Sequence, residues 1–368
     1  MEARQSLAAL AARPLPFTGR GANNCAPERA RPGGCGLSSQ PAMNPLTLAT
    51  LKCLSATRHV SGEAIAASLS VTRATVWNAI QEAESLGVAI EKVRGLGYRL
   101  EHEVVWLDSA AIQGALGSAT SRFRVEVVAS TGSTNTDLLQ RAAAGNPGGL
   151  VLAAETQTGG RGRRGRQWVN PMGGALTFSV LWRFEQGVSG LSGLSLVVGL
   201  ACARALEEAG ARGVGIKWPN DLQVDGRKLG GILIELQGDA LGPSAAVIGI
   251  GINMRLSDAV AEAVDQPVAD VHGAGGTGDR NVLLGRVLEM LARTLDQFVD
   301  GGFAPLEPEF RKRHVLHGRP VDVTFADGSV VSGIVEGTDA TGALRVATPA
   351  GVRICHGGEV SVRRRLPA

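Results

Sequence analysis

The chain has 368 residues, 44% hydrophobic and 19% charged, the make-up of an ordinary globular protein with room for two or three separate cores. The net charge of +3 resides in residues 1–43, where five arginines face two glutamates, so the remainder is formally neutral and offers no overall field for nucleic acid. No run of about 18 apolar residues occurs, which argues against a membrane span, and the five scattered cysteines form no Cys-x-x-Cys pair, which argues for reduced thiols in the cytoplasm and against a zinc site.

Residues 1–43 are rich in Ala, Arg, Gly and Pro without apolar periodicity and read as a disordered tail. Their composition fits an organellar transit peptide and equally a chain whose proper start is Met43. From 44 to 103 the pattern changes. Leu46–Leu54 has helical spacing, Ser61 opens a short helix over Gly62–Leu69, and Thr72 caps a second helix that runs to about Leu86 and stops at Gly87. Two short strands, Val88–Val93 and Tyr98–Leu100, flank the turn Arg94-Gly95-Leu96-Gly97. This order predicts a winged helix-turn-helix in which Thr72, Arg73, Thr75 and Asn78 face DNA, Arg94 sits on the wing, and Val76, Ile80 and Leu86 face the core. A small helical domain for protein contacts remains open, because bases and acids balance here.

The largest unit, 104–316, mixes strands with helices. Strands are predicted at Arg124–Val128, Leu150–Glu155, Ala175–Trp182, Gly215–Lys217, Leu229–Leu236 and Ala245–Ile252, and helices at Asn135–Ala144, Gly193–Glu208 and Asn281–Gly301. Most strands follow each other without a helical crossover, so a mixed or antiparallel sheet is expected rather than a doubly wound one. Residues 317–368 read as five short strands with tight turns, the pattern of a small SH3-like β-barrel. The fold class is therefore α+β.

Three motifs in the central unit could carry chemistry. Gly159-Gly160-Arg161-Gly162-Arg163-Arg164-Gly165-Arg166-Gln167-Trp168 combines glycines, which let backbone N–H groups approach an anion, with guanidinium donors. It satisfies G-x-G-x-x-G, but Asn170-Pro171 follows instead of a helix, so a dinucleotide fold is excluded. By itself the loop reads as well as a solvated or RNA-binding Arg-Gly patch. Lys217-Trp218-Pro219-Asn220-Asp221-Leu222 places an Asn-Asp pair after a rigid turn at the sheet edge, suited to Mg²⁺ held through water by Asp221 or simply to an ordinary turn. Only five lysines occur, yet Lys217 and Lys228 lie close together, with Lys228 able to enter the same cleft. Ser133-Thr134-Asn135 caps a helix and could hydrogen-bond a neutral polar head group, or only cap it. No Gly-Lys-Ser/Thr occurs, so no P-loop binds ATP.

Together the motifs fit one reaction. Bringing a carboxylate to the α-phosphate of ATP forces two anions together, and Arg161, Arg163 and Lys228 would offset that repulsion while Asp221 helps hold Mg²⁺. The glycine-rich loop would close over the resulting acyl-adenylate and exclude water.

On these residues, residues 46–364 closely resemble the bifunctional bacterial biotin–protein ligases, also called biotin operon repressors. The matching segments are Ser133–Asn135, Gly160–Trp168, Lys217–Leu222, Arg227–Ile232 and Gly249–Met254. The resemblance implies a class II synthetase-like ligase domain with biotin and ATP as substrates. It implies that Ser133, Thr134, Asn135 and Gln157 hold biotin's ureido ring and its surroundings. Arg161, Gly162 and Arg163 would order over the adenylate, Lys228 would contact the carboxylate and phosphate, Trp168 would pack on adenine, and Asn253 would lie near the nucleotide. It further implies a biotin carboxyl carrier protein as acceptor, a homodimer joined edge to edge through the central sheet when the adenylate is bound, and operator DNA as partner. Thr158-Gly159 and Gly230 depart from the commoner pattern and suggest a looser lid, while 257–278 is hard to match. A lipoate–protein ligase would need an Arg-Arg-x-Ser-Gly-Gly loop, which is absent. A ligase with a vestigial DNA-binding domain and a non-catalytic adenylate-binding regulator remain as alternatives.

Overall fold

The computed structural model describes residues 43–358 and 360–365; the expectations for the first 42 residues lie outside them. The N-terminal module contains α1 (Pro45–Lys52), α2 (Gly62–Leu69), α3 (Arg73–Ser85) and the hairpin β1 (Ile90–Val93) and β2 (Gly97–Leu100). Its boundaries follow capping chemistry. Ser61 accepts from Ala64 N, Thr72 accepts from Thr75 N, and Gly87 supplies the left-handed backbone (φ 86°) past the end of α3. Val76 and Ile80 are fully buried, and Leu86 packs against them at the margin of the same core.

A linker leads to α4 (Ser109–Gly114), β3 (Arg124–Thr131), α5 (Thr134–Ala143), β4 (Leu150–Gln157), β5 (Ala175–Phe184), α6 (Leu194–Glu208), β6 (Val214–Lys217), β7 (Asp221–Val224), β8 (Arg227–Gly238), β9 (Ser244–Asn253), α7 (Asp258–Glu262), α8 (Arg280–Gly301) and α9 (Glu307–Arg313). The sheet is mixed, ordered β3-β4-β5-β9-β8-β7-β6, with only β3–β4 parallel. Two expectations need correction. Asp221 does not mark the sheet edge: it opens the short strand β7, which the sequence reading missed, and β6 is the edge. Gly230 is not part of any lid but lies inside β8, where a Cβ would come 2.7 Å from Gly251 O. The 257–278 stretch forms α7 and then runs back along the sheet, with Ala269 N donating to Lys228 O and Val271 N to Asn253 O.

Period-two alternation explains the layers. One face of β5 and β9 presents Leu176, Phe178, Val180, Ile248, Ile250 and Ile252 to α6 and α8. The other face begins apolar under α5, with Leu181, Ala245 and Val247, and then turns to Ser179, Thr177, Gly249, Gly251 and Asn253. That change from bulk to glycine and polar side chains opens a hollow beside the N-terminus of α5.

The C-terminal strands β10 (Pro320–Thr324), β11 (Val330–Thr338), β12 (Leu344–Thr348), β13 (Gly351–Cys355) and β14 (Ser361–Arg364) make one antiparallel sheet ordered β13-β12-β11-β10-β14. All five expected strands are present. The winged module touches the central layer through Met172, which is buried in its core, and whose N donates to Leu86 O at 3.0 Å.

Candidate active site

The hollow is a cavity of about 170 Å³. Ser133, Thr134, Asn135, Gln157, Arg161, Gly162, Arg163, Trp168, Asp221, Lys228 and Asn253, the residues expected from sequence to form the central site, line it.

Its polar wall is the start of α5. Ser133 caps the helix, and Thr134 N donates to Gln157 Oε1 at 2.8 Å. Ser179, a fully buried hydroxyl that sequence reasoning missed, bonds Thr134 Oγ1 and Asn135 Oδ1, each at 2.6 Å. Its only signal in the sequence is a small hydroxyl side chain beside Thr177 on the α5-facing side of β5. Asn135 needs Gly249 opposite, because a Cβ there would lie 2.2 Å from Asn135 Oδ1. Gly251 likewise makes room for Trp168, whose ring would sit 2.5 Å from any Cβ.

The glycine-rich segment is a closed hairpin. Gly162 N donates to Arg166 O at 2.7 Å and Trp168 N to Gly160 O at 2.9 Å, with Arg164 (φ 58°) and Gly165 (φ 71°) turning the tip. Arg161 donates to Thr136 Oγ1. Arg163 crosses to Asn220 Oδ1 at 3.0 Å and to the main-chain oxygens of Gly357 and Val360 in the C-terminal sheet domain. Burial, joined by the neighbouring charges of Arg164 and Arg166, lowers the Arg163 pKa against the opposing pull of Asp221.

Opposite stands the charge cluster. Lys228 Nζ is 2.9 Å from Asp221 Oδ1 and 5.9 Å from the Trp168 ring centroid. Burial lowers the Lys217 pKa; Asp221 opposes this, and Lys228, Arg166 and Arg363 reinforce it. Lys217 thus belongs to the site, where the sequence had marked it only by its closeness to Lys228, without a role. Asn253 donates to Lys228 O at 3.2 Å and to Ala269 O at 3.0 Å, so it braces the backbone that carries Lys228. Among the described residues no group of three His, Cys, Asp or Glu side chains gathers as for a resident metal. Asp221 alone fits an ion that keeps its waters and arrives on phosphates.

On the winged module Thr72, Arg73, Asn78 and Arg94 are exposed and Thr75 is half-buried against Thr72. Trp77, unforeseen, is 54% exposed on the same helix.

Fixed cations facing an uncharged polar wall suit the condensation of an acid with a nucleotide, and the class so defined is a carboxylate-activating ligase carried with a helix-turn-helix module. Residues 127–253 match the biotin/lipoate A/B protein ligase family, 47–99 a helix-turn-helix domain and 316–363 the biotin protein ligase C-terminal domain. The chain is 37% identical to the bifunctional ligase/repressor BirA of Salmonella typhimurium (strain LT2), over 87% of this chain and 97% of that one. It is 36% identical to the biotin–[acetyl-CoA-carboxylase] ligase of Paracoccus denitrificans, over 64% of this chain and 98% of that one. The biotin protein ligase of Aquifex aeolicus, solved with biotin and ATP, superposes with a TM-score of 0.56 at 28% identity, covering 66% of this chain and 99% of that chain. The chain belongs to the biotin–protein ligase family, and it has the helix-turn-helix of the ligase/repressor members.

Proposed function

We propose that the protein condenses biotin with ATP to biotinyl-5'-AMP, passes biotin to a lysine of a biotin carboxyl carrier protein, and represses transcription from a biotin operator as an adenylate-bound homodimer. The observation that carries the ligase reading is the convergence of Lys217, Lys228, Arg163 and Asp221 on one side of a cavity whose other side is the uncharged Ser133–Asn135 wall.

In the first step a biotin carboxylate oxygen attacks the α-phosphorus, the bond to the bridging oxygen breaks, and pyrophosphate leaves. Lys228 is positioned to hold the two anions together, Asn253 steadies its backbone, and Ser133, Thr134, Asn135 and Gln157 orient the ureido ring. Asp221 would hold, through water, a Mg²⁺ ion bound with ATP, and that ion would supply charge that offsets the phosphates. Arg161, Gly162 and Arg163 close over the adenylate and limit hydrolysis. In the second step a neutral acceptor amine attacks the acyl carbon, the bond to AMP breaks, and the amine's proton passes to solvent.

The dimer is supported by β8. β7 pairs with β8 only as far as Gly231, so among the described residues Ile234–Gly238 have a strand neighbour only on the β9 side. Cytoplasmic residence is supported by the free thiols Cys53, Cys202 and Cys355; no helix among the described residues is long and apolar enough to cross a membrane. DNA contact by Thr72, Arg73, Thr75, Asn78 and Arg94 is supported by their place at the start of α3 and on the wing. A ligase whose winged module ignores DNA is favoured by one observation: Arg73, Lys92 and Arg99 are each paired with a glutamate.

Incubation with biotin, Mg-ATP and a carrier domain tests the ligase: biotin on the carrier lysine is expected, and no transfer contradicts it. An electrophoretic shift with operator DNA that appears only with biotin plus ATP supports the repressor; its absence supports the ligase-only reading.

A further inference from the structure

Asn135 and Arg161 belong to different parts of the site, the pocket wall and the closing loop, yet both reach the same carboxylate. Asn135 Nδ2 donates to Glu235 Oε2 at 2.8 Å and to Leu233 O at 3.2 Å, while Arg161 Nη2 lies 3.6 Å from Glu235 Oε1. Glu235 is on β8, half-buried, beyond the last residue that β7 covers.

An ionised carboxylate only accepts hydrogen bonds. Asn135 must therefore turn its NH₂ toward Glu235 and its Oδ1 toward Ser179. Ser179 must then donate to that oxygen, so at its 2.6 Å contact with Thr134 it accepts, and the Thr134 hydroxyl gives its one proton to Ser179 in preference to the longer 3.1 Å contact with Gln157 Oε1. Gln157 Oε1 is already taken by Thr134 N, so the Gln157 amide has its NH₂ left for a ligand. The acceptors at the end of the chain, the Glu235 carboxylate at 2.8 Å and the longer contact with Leu233 O at 3.2 Å, thus set the direction of the bonds through Asn135, Ser179 and Thr134.

We infer that Glu235 is a positioning residue with two tasks: it polarises the Thr134–Ser179–Asn135 chain so that the wall offers one fixed pattern of donors and acceptors to biotin, and it tethers Arg161 of the closing loop. The inference rests on the proposed ligase reaction. The first task needs an acceptor; the second needs a charge. Two substitutions therefore separate them.

The test measures biotin affinity by calorimetry and release of preformed radiolabelled biotinyl-adenylate by chase, with thermal midpoints checked. Glu235→Gln keeps an acceptor for Asn135 and is expected to bind biotin within twofold of wild type. It loses the partly exposed ion pair and releases adenylate about two- to fivefold faster. That acceleration disappears in an Arg161→Gln background. Glu235→Ala loses the acceptor and weakens biotin binding about tenfold. The inference is overturned if folded Glu235→Ala binds biotin as wild type does, or if Glu235→Gln accelerates release equally with Arg161 already removed. A wild-type protein that makes no adenylate overturns the ligase reading itself, and this inference with it.

Discussion

Arg280 and Glu155 form an ion pair at 2.7 Å in which each side chain is at most 2% exposed. Arg280 also donates to Val105 O at 2.9 Å and Ala175 O at 3.0 Å, and Glu155 accepts from Leu107 N at 2.6 Å. The pair therefore binds the linker after the winged module to α8 and to β4, two residues before Gln157.

Removing one partner strands a buried charge. Arg280→Met is expected to cost about 3–5 kcal/mol, and the double variant with Glu155→Leu to recover part of that loss, because the desolvated charge is gone. Urea unfolding of the three proteins checks it; a single variant as stable as wild type contradicts it.

His314 makes stability depend on pH. It is buried and stacked on Phe310, neither ring nitrogen has a hydrogen-bond partner among the described residues, and burial, with His317 nearby, pushes its pKa down to about 3. The unfolded chain takes up the proton near the ordinary value of about 6.5, so folding excludes a proton between these two values. Stability contributed by neutral His314 is complete above pH 6.5 and is lost as pH falls toward 3, by about 1.4 kcal/mol per unit. In denaturant titrations from pH 7 to 5, His314→Phe is expected to flatten this slope; an unchanged slope contradicts the assignment.

The order of the closing hairpin depends on Arg163. Its bonds to Asn220, Gly357 and Val360 tie the hairpin to both the β6–β7 turn and the C-terminal sheet domain. Arg163→Ala is expected to release biotinyl-adenylate at least tenfold faster while the fold survives, as two or three charge-assisted bonds are lost. Chase kinetics decide; retention as tight as wild type contradicts the lid role.

Gly251→Ala tests the cavity floor. The added methyl meets the Trp168 ring at 2.5 Å, and displacing a ring held above rigid strand backbone costs about 1–3 kcal/mol. Biotin affinity is expected to fall by about tenfold or more, with a changed Trp fluorescence spectrum. Normal affinity contradicts this placement of Trp168.

The parts most legible in the sequence were those fixed by local chemistry. Ser61, Thr72 and Gly87 mark helix ends by capping, and the long strands declare themselves by apolar alternation, so the winged module and most of the central sheet could be written down in order. β7 was missed because four residues between two turns show no period, and α9 because Leu306 offers no side-chain cap at its start, although Pro308 and the acidic first turn favour a helix there. Within the site, motif residues adjacent in sequence were found, whereas Ser179 and Glu235 matter only through side chains about 45 and 100 residues away. Spacing along one strand carries no trace of such partners.

Lys228, set 2.9 Å from Asp221, is positioned to neutralise the approach of a carboxylate to a phosphate. Biotin-dependent exchange of labelled pyrophosphate into ATP measures that step alone. Wild type is expected to exchange only when biotin is present, and Lys228→Ala to exchange about 10²–10³ times more slowly with its fold intact. Exchange by Lys228→Ala at the wild-type rate, or none by wild type, contradicts the account.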